Sequence, residues 1–207
     1  PYRLLELLQG DTLGAVVKRN GGLGGGRVVT LATRLLEVLE FLHGNGISHR
    51  DIKPSNVFVC DDGRYMLMDL GLAGDVVDPL TTTLGDIMGT YAYMAPEQIA
   101  GAETDSRADL YSLGVTLLES IIGKRPFGAI GAAATLQAQR QEGAASVSQM
   151  APLDTPERLV EVVSQLMSWD PSGRPESAGV AMAILTGHVG RRQDLAIPTM
   201  VGRSGPM

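Results

Sequence analysis

The sequence predicts an α+β fold, mainly helical, with short antiparallel hairpins in its first third. Apolar residues recur at helical spacing in one long stretch before residue 44 and in four stretches after residue 105. Between them lie two short β-rich runs joined by Asp61-Asp62-Gly63, a hairpin signal. Of 207 residues, 44% are hydrophobic and 19% charged, enough apolar material for one good-sized domain with a packed core.

The chain opens with Pro1 in an apolar run, and Tyr2 to Leu8 reads as a short buried strand broken by Gln9 and Gly10. Asp11 or Thr12 can cap a short helix running to about Arg19. The glycine-rich run from Asn20 to Gly26 invites comparison with a phosphate-cradling loop, but Arg27 stands where a third glycine is needed and no strand precedes it. It reads as a flexible connector between helices. From Val28 to His43, Val28, Leu31, Leu35, Val38, Leu39 and Leu42 mark a helix that Gly44 and Gly46 end. Val57 to Cys60 and Tyr65 to Met68 form the hairpin strands. After an irregular, Thr-rich stretch, helices are expected over Ser106 to Ile122, Ala132 to Gln141, Pro156 to Ser168 and Glu176 to Leu185. The Gly-, Arg- and Pro-rich tail from Gly187 reads as frayed.

Charge and cysteine usage exclude several classes. A net charge of −6 argues against a nucleic-acid partner, whose footprint is clustered Lys and Arg. The single Cys60 rules out an internal disulfide and suits a reducing, cytoplasmic compartment; its apolar neighbours mark an inert thiol. No run approaches the roughly 18–20 apolar residues of a membrane span, so no membrane segment is expected. His43 and His188 have no partners at metal-ligand spacing and read as ordinary.

Three short motifs carry chemistry, in a fixed order. The first is His49-Arg50-Asp51-Ile52-Lys53-Pro54-Ser55-Asn56, the second Asp69-Leu70-Gly71, the third Gly89-Thr90-Tyr91-Ala92-Tyr93-Met94-Ala95-Pro96-Glu97. Asn56 and Asp69 are hard oxygen donors at opposite ends of the hairpin, which can bring them together around a divalent cation. Asp51 is a carboxylate on a loop after a long helix, placed to meet a hydroxyl and accept its proton. Lys53 can set an ammonium on an anionic group being transferred.

The ordered set resembles the eukaryotic-type serine/threonine protein kinases, and the Met94-Ala95-Pro96-Glu97-Gln98 wording is similar to bacterial members. The resemblance implies a kinase large lobe over residues 11–187, with a catalytic loop at 49–56 and an activation segment at 69–97. Residues 1–10 would be the hinge and the end of a small lobe otherwise mostly absent, and 188–207 a tail. Asp51 would be the catalytic base, Asn56 and Asp69 would bind Mg2+, and Lys53 would contact the γ-phosphate of ATP. Lys53 and Thr90 look like the serine/threonine branch. Leu5 would stand at the gatekeeper place, and the backbone of Glu6 and Leu8 would hydrogen-bond adenine. His49 would be a structural histidine, Asp109 a buried anchor of the catalytic loop, and Glu97 with Arg174 an internal ion pair. Arg50 beside Asp51 implies control by phosphorylation, with Thr81, Thr82 and Thr83 as acceptors. Leu70 departs from the family's usual Phe, which bears on switching between active and inactive states rather than on the metal ligand Asp69.

A working kinase also needs a glycine-rich loop and a strand lysine paired with a helix glutamate, all before the hinge. Too few residues precede Gln9 to hold them, and Lys18 falls after the hinge. The expectation is therefore a fragment, inactive alone, of a parent that uses ATP and Mg2+ on protein substrates with Ser or Thr. The competing reading is a non-catalytic kinase-like binding or scaffold module, disfavoured by the intact Asp51, Lys53, Asn56 and Asp69. Small-molecule kinases share an Asp and Asn loop, but the Ala95-Pro96-Glu97 segment argues against them.

Overall fold

Thr12 organises the first turn of the chain: extended at φ −67°, it accepts the Ala15 N–H on its side chain and starts α1, Leu13–Asn20. Asp11, the other candidate cap, instead pairs with Arg19 at 2.9 Å. The computed structural model describes residues 8–69, 91–127 and 131–188. All of the expected first strand except Leu8 lies outside that range, as does residue 70–90 of the irregular stretch.

Among the described residues the sheet has three short antiparallel strands, β1 (Gly10–Thr12), β2 (Val57–Cys60) and β3 (Tyr65–Leu67), in the order β1-β2-β3. Gly10 pairs with Cys60, and Val57 with Leu67. The sequence reading placed a break at Gly10, where the structure begins a strand. Gly10 has φ 143°, and a Cβ there would collide with the carbonyl of Val59. Only glycine lets the two backbones approach this closely.

The glycine-rich connector between helices is packed rather than loose: Leu23 is buried and its N–H donates to the Ser120 carbonyl at 2.7 Å. It leads into α2, Gly25–Gly44, one turn longer at its start than the apolar stripe suggests. There follow α3 (Pro96–Ile99), α4 (Arg107–Ile122), α5 (Ala132–Glu142), α6 (Val147–Met150), α7 (Glu157–Leu166) and α8 (Ala178–Thr186). The two short helices, α3 and α6, are too brief to show a period in the sequence.

α4 is the axis of the molecule. Every residue from Ala108 to Leu118 is buried, because α2 packs on one side of the helix and α7 on another. Gly114 makes the α7 contact possible: a Cβ there would press into Leu166 and Met167. α8 closes the body by packing on both α2 and α7. The sheet sits at the end of α1 and α2, so the loop between α2 and β2 lies where sheet and helices meet.

Candidate active site

α2 stops at Asn45 and Gly46, the latter at φ 72°, and the chain turns into the His49–Asn56 loop. A single carboxylate fixes that loop. Asp109, in the first turn of α4 and 1% exposed, accepts the backbone N–H of His49 at 2.8 Å and of Arg50 at 2.7 Å. Arg50 is thereby held at φ 66°, a left-handed conformation unusual for a side-chain-bearing residue. The buried ring of His49 then meets the Met68 carbonyl at 2.9 Å, across the hairpin.

Asp51 follows at the surface of this frame. Its carboxylate pairs with the Lys53 ammonium at 2.9 Å and accepts from the Asn56 amide at 2.8 Å. Asn56 also donates to the Asp51 backbone carbonyl, locking the loop across five residues. Pro54 opens the 3₁₀ turn Pro54–Asn56 that carries Asn56 to the base of β2. β3 returns so that the Met68 N–H donates to the Asn56 carbonyl at 2.8 Å. Asp69, the next residue, is exposed and lies at φ 63°. Met68 is thus gripped from Asn56 and from His49, and Asp69 emerges one step beyond. Asp51, Lys53 and Asn56 are therefore joined by direct contacts, and the Met68–Asn56 hydrogen bond brings the backbone before Asp69 to the same loop.

A family model for the protein kinase domain matches residues 2–185. The chain belongs to the protein kinase family. It is 35% identical over 175 residues to serine/threonine-protein kinase PknD of Mycobacterium tuberculosis, covering 84% of this chain and 26% of that protein. It is 33% identical over 192 residues to PknA of Mycobacterium bovis, covering 92% of this chain and 44% of PknA. With PknH of Mycobacterium bovis the identity is 34% over 175 residues, 84% of this chain and 29% of PknH. The kinase chain described here thus spans between about a quarter and under half the length of these relatives.

Elsewhere in the kinase domain, Glu97 and Arg174 form a two-pronged pair at 2.6 and 2.8 Å. The Arg174 side chain is wholly buried, and its remaining donors reach the carbonyls of Ser168, Arg107 and Trp169. Its guanidinium also lies over the Tyr111 ring, 4.9 Å from the centroid. The pair ties the start of α3 to the turn before α8.

Leu8 is half-buried beside β1, and Lys18 is exposed on α1. Leu5, Glu6, Thr81, Thr82, Thr83 and Thr90 lie outside the described residues. No cluster of three or more His, Cys, Asp or Glu that could hold a metal occurs among the described residues. No helix of the described residues is long and apolar enough to cross a membrane.

Sequence reasoning missed one member of the frame. His43, taken as ordinary, places Nε2 2.9 Å from Asp109 Oδ2, so one carboxylate serves α2 as well as the loop. Nothing in a lone histidine in the last turn of a helix points to an aspartate 66 positions away. A second missed cluster joins Tyr93, whose hydroxyl donates to Glu119 at 2.6 Å, with Arg125 over the Tyr93 ring. Burial pushes the Glu119 carboxyl above the usual glutamate range, against the pull of the Tyr93 hydroxyl and of Arg125.

Proposed function

We propose that the protein carrying this kinase domain transfers the γ-phosphoryl group of ATP to Ser and Thr hydroxyls of protein substrates. One observation carries the reading: the Asp51 carboxylate is held between the Lys53 ammonium and the Asn56 amide, at 2.9 and 2.8 Å.

In this reading Asp51 receives the acceptor hydroxyl, orients its oxygen toward the γ-phosphorus, and takes its proton late in the transfer. A new P–O bond forms to the substrate oxygen as the bond to the β-phosphate oxygen breaks, and ADP leaves. Lys53, already beside Asp51, places its charge on the migrating phosphoryl group. Asn56 and Asp69 would hold Mg2+, which neutralises phosphate charge when bound. The donor set fits that ion: both side chains offer hard oxygens, and the Met68–Asn56 hydrogen bond brings their backbones together. Two protein oxygens suffice when phosphate and water complete an octahedral site.

Leu5 and the backbone of Glu6 and Leu8 would line the adenine, and Thr90 would stand beside Asp51. Arg50, exposed next to Asp51, would gather a phosphate placed on Thr81, Thr82 or Thr83; mass spectrometry of the active protein should find one of them modified. ATP use and the lone Cys60 suit the cytoplasm.

The test is radiolabel transfer by the full-length protein from ATP to a degenerate peptide library with a central Ser or Thr. Replacing Asp51 with Asn should cut turnover by about 10²–10⁴-fold, the range for losing a positioned base. Equal turnover in the variant would remove Asp51 from the chemistry, and a wild-type protein without transfer would leave the scaffold reading.

A further inference from the structure

A small cavity lies where α3 meets the turn before α8. It measures about 290 Å³ and is lined by Pro96, Glu97, Ala100, Trp169, Asp170 and Pro171. That is just under the range of small-molecule pockets, about 300–1,000 Å³, and suits one long side chain better than a cofactor. Trp169 is the chain's only tryptophan, and it is 42% exposed although Met167, two residues before it, is buried. A tryptophan left open in a cavity walled by prolines and alanine has the character of an interface anchor.

The chemistry of the lining selects the occupant. The carbonyls of Pro96, Glu97, Asp170 and Pro171 already accept from Ala100, Ala102, Gly173 and Arg107, and that of Trp169 accepts from Arg174. Glu97 spends both carboxylate oxygens on Arg174. Asp170 keeps one in reserve. Its Oδ1 accepts the Ser172 N–H at 2.8 Å, while Oδ2 takes no hydrogen bond among the described residues, and the side chain is exposed. The Ser172 N–H also holds this carboxyl below the usual aspartate range, which keeps it anionic. Apolar walls that end in a carboxylate match a cation carried on an apolar stem. The ring agrees: the Arg140 guanidinium of α5 stands 5.9 Å from the Trp169 centroid. That is the outer limit of a cation–π contact, so the ring draws a guanidinium without gripping this one. The Trp169 indole N–H makes no hydrogen bond among the described residues and is open to a main-chain carbonyl, which favours a polypeptide over a small free cation.

We propose that this cavity binds an arginine of a partner protein, presented on an extended segment. The guanidinium pairs with Asp170 Oδ2 and lies on the Trp169 ring, displacing Arg140, while its methylene stem runs along Pro96, Ala100 and Pro171. Arginine suits the site better than lysine, because a planar guanidinium can stack on a ring and pair with a carboxylate at once. Binding there needs nothing from Asp51 and goes beyond the kinase reading.

The experiment titrates full-length protein into fluorescein-labelled peptides with a fixed central arginine, degenerate flanks and no Ser, Thr or Tyr, read by fluorescence polarisation. Binding is expected, and a matched pool with citrulline, the neutral isostere of arginine, should bind about two- to five-fold more weakly. Asp170→Asn keeps an acceptor for Ser172 and removes the charge at an exposed position, so it tests the site without touching the core. This variant and Trp169→Ala should each weaken the arginine pool by about two- to five-fold. Arg140→Gln should bind at least as tightly as the wild type, and Asp51→Asn equally well. No polarisation change up to about 1 mM peptide overturns the proposal. So does equal binding of the citrulline pool, or binding that Asp170→Asn and Trp169→Ala leave unmoved. A loss in Arg140→Gln would mean that the cavity takes an anion, and a loss in Asp51→Asn would place the peptides at the catalytic loop; either refutes it. Self-association by light scattering that Trp169→Ala abolishes, with the arginine pool unbound, would make the cavity an interface between copies instead.

Discussion

Arg174 shows how much one side chain can hold when every donor is used. Its guanidinium serves Glu97 and three carbonyls from inside the protein, with no water contact. Truncation to Ala strands the Glu97 carboxylate beside a cavity, which should cost about 3–5 kcal/mol in urea unfolding. Removing both partners should cost less than the sum of the single losses, because the second change deletes an already orphaned charge. Glu119 makes a different prediction. Burial raises its carboxyl, so the folded state holds the proton more tightly than the unfolded chain. The stability it contributes is full below the unfolded value and declines as pH rises through the folded one. Glu119→Gln should flatten that decline as pH rises above the ordinary glutamate range, read from urea midpoints. At this scale the sequence was informative where chemistry is contiguous. Asp51, Lys53 and Asn56 fall within six positions, and their residue types announce a proton acceptor, a cation and an oxygen donor. His43 with Asp109, and Tyr93 with Glu119, were illegible because only the tertiary fold brings such distant groups together.

α4 and α7 pack along each other, and at one point of the contact α4 carries a residue without a side chain. At Gly114, a methyl group would press into Leu166, the last residue of the facing helix, and Met167 just past it. Gly114→Ala should therefore destabilise by about 1–3 kcal/mol despite alanine's better helix propensity, and a thermal melt can measure it. A gain in melting temperature would mean that the two helices can part freely. The long helices were readable from their apolar period, and the end of α2 from Gly44 and Gly46. β1 was not readable, since Gly-Asp-Thr has no strand signal of its own and gains its conformation by pairing with β2. The connector before α2 looked flexible for a related reason: glycine content reports conformational freedom, not the buried Leu23 or the Ser120 carbonyl that restrict it.

The body as a whole is closed by its last described helix. α8 packs on α2, and the Glu40 carboxylate of α2 accepts the Gly179 N–H at the start of α8, across 139 positions of chain. The general architecture followed from binary patterning, but no pattern in the sequence says that these two helices are neighbours. The pairing has a consequence for biosynthesis. A ribosome adding about 5–20 residues per second completes α2 roughly seven to thirty seconds before α8 is complete. Throughout that interval the nascent polypeptide offers uncovered leucines to the surrounding medium. Chains arrested just ahead of Ala178 should bind a holdase chaperone and be digested quickly, whereas those arrested well beyond Thr186, with the exit tunnel cleared, should resist both.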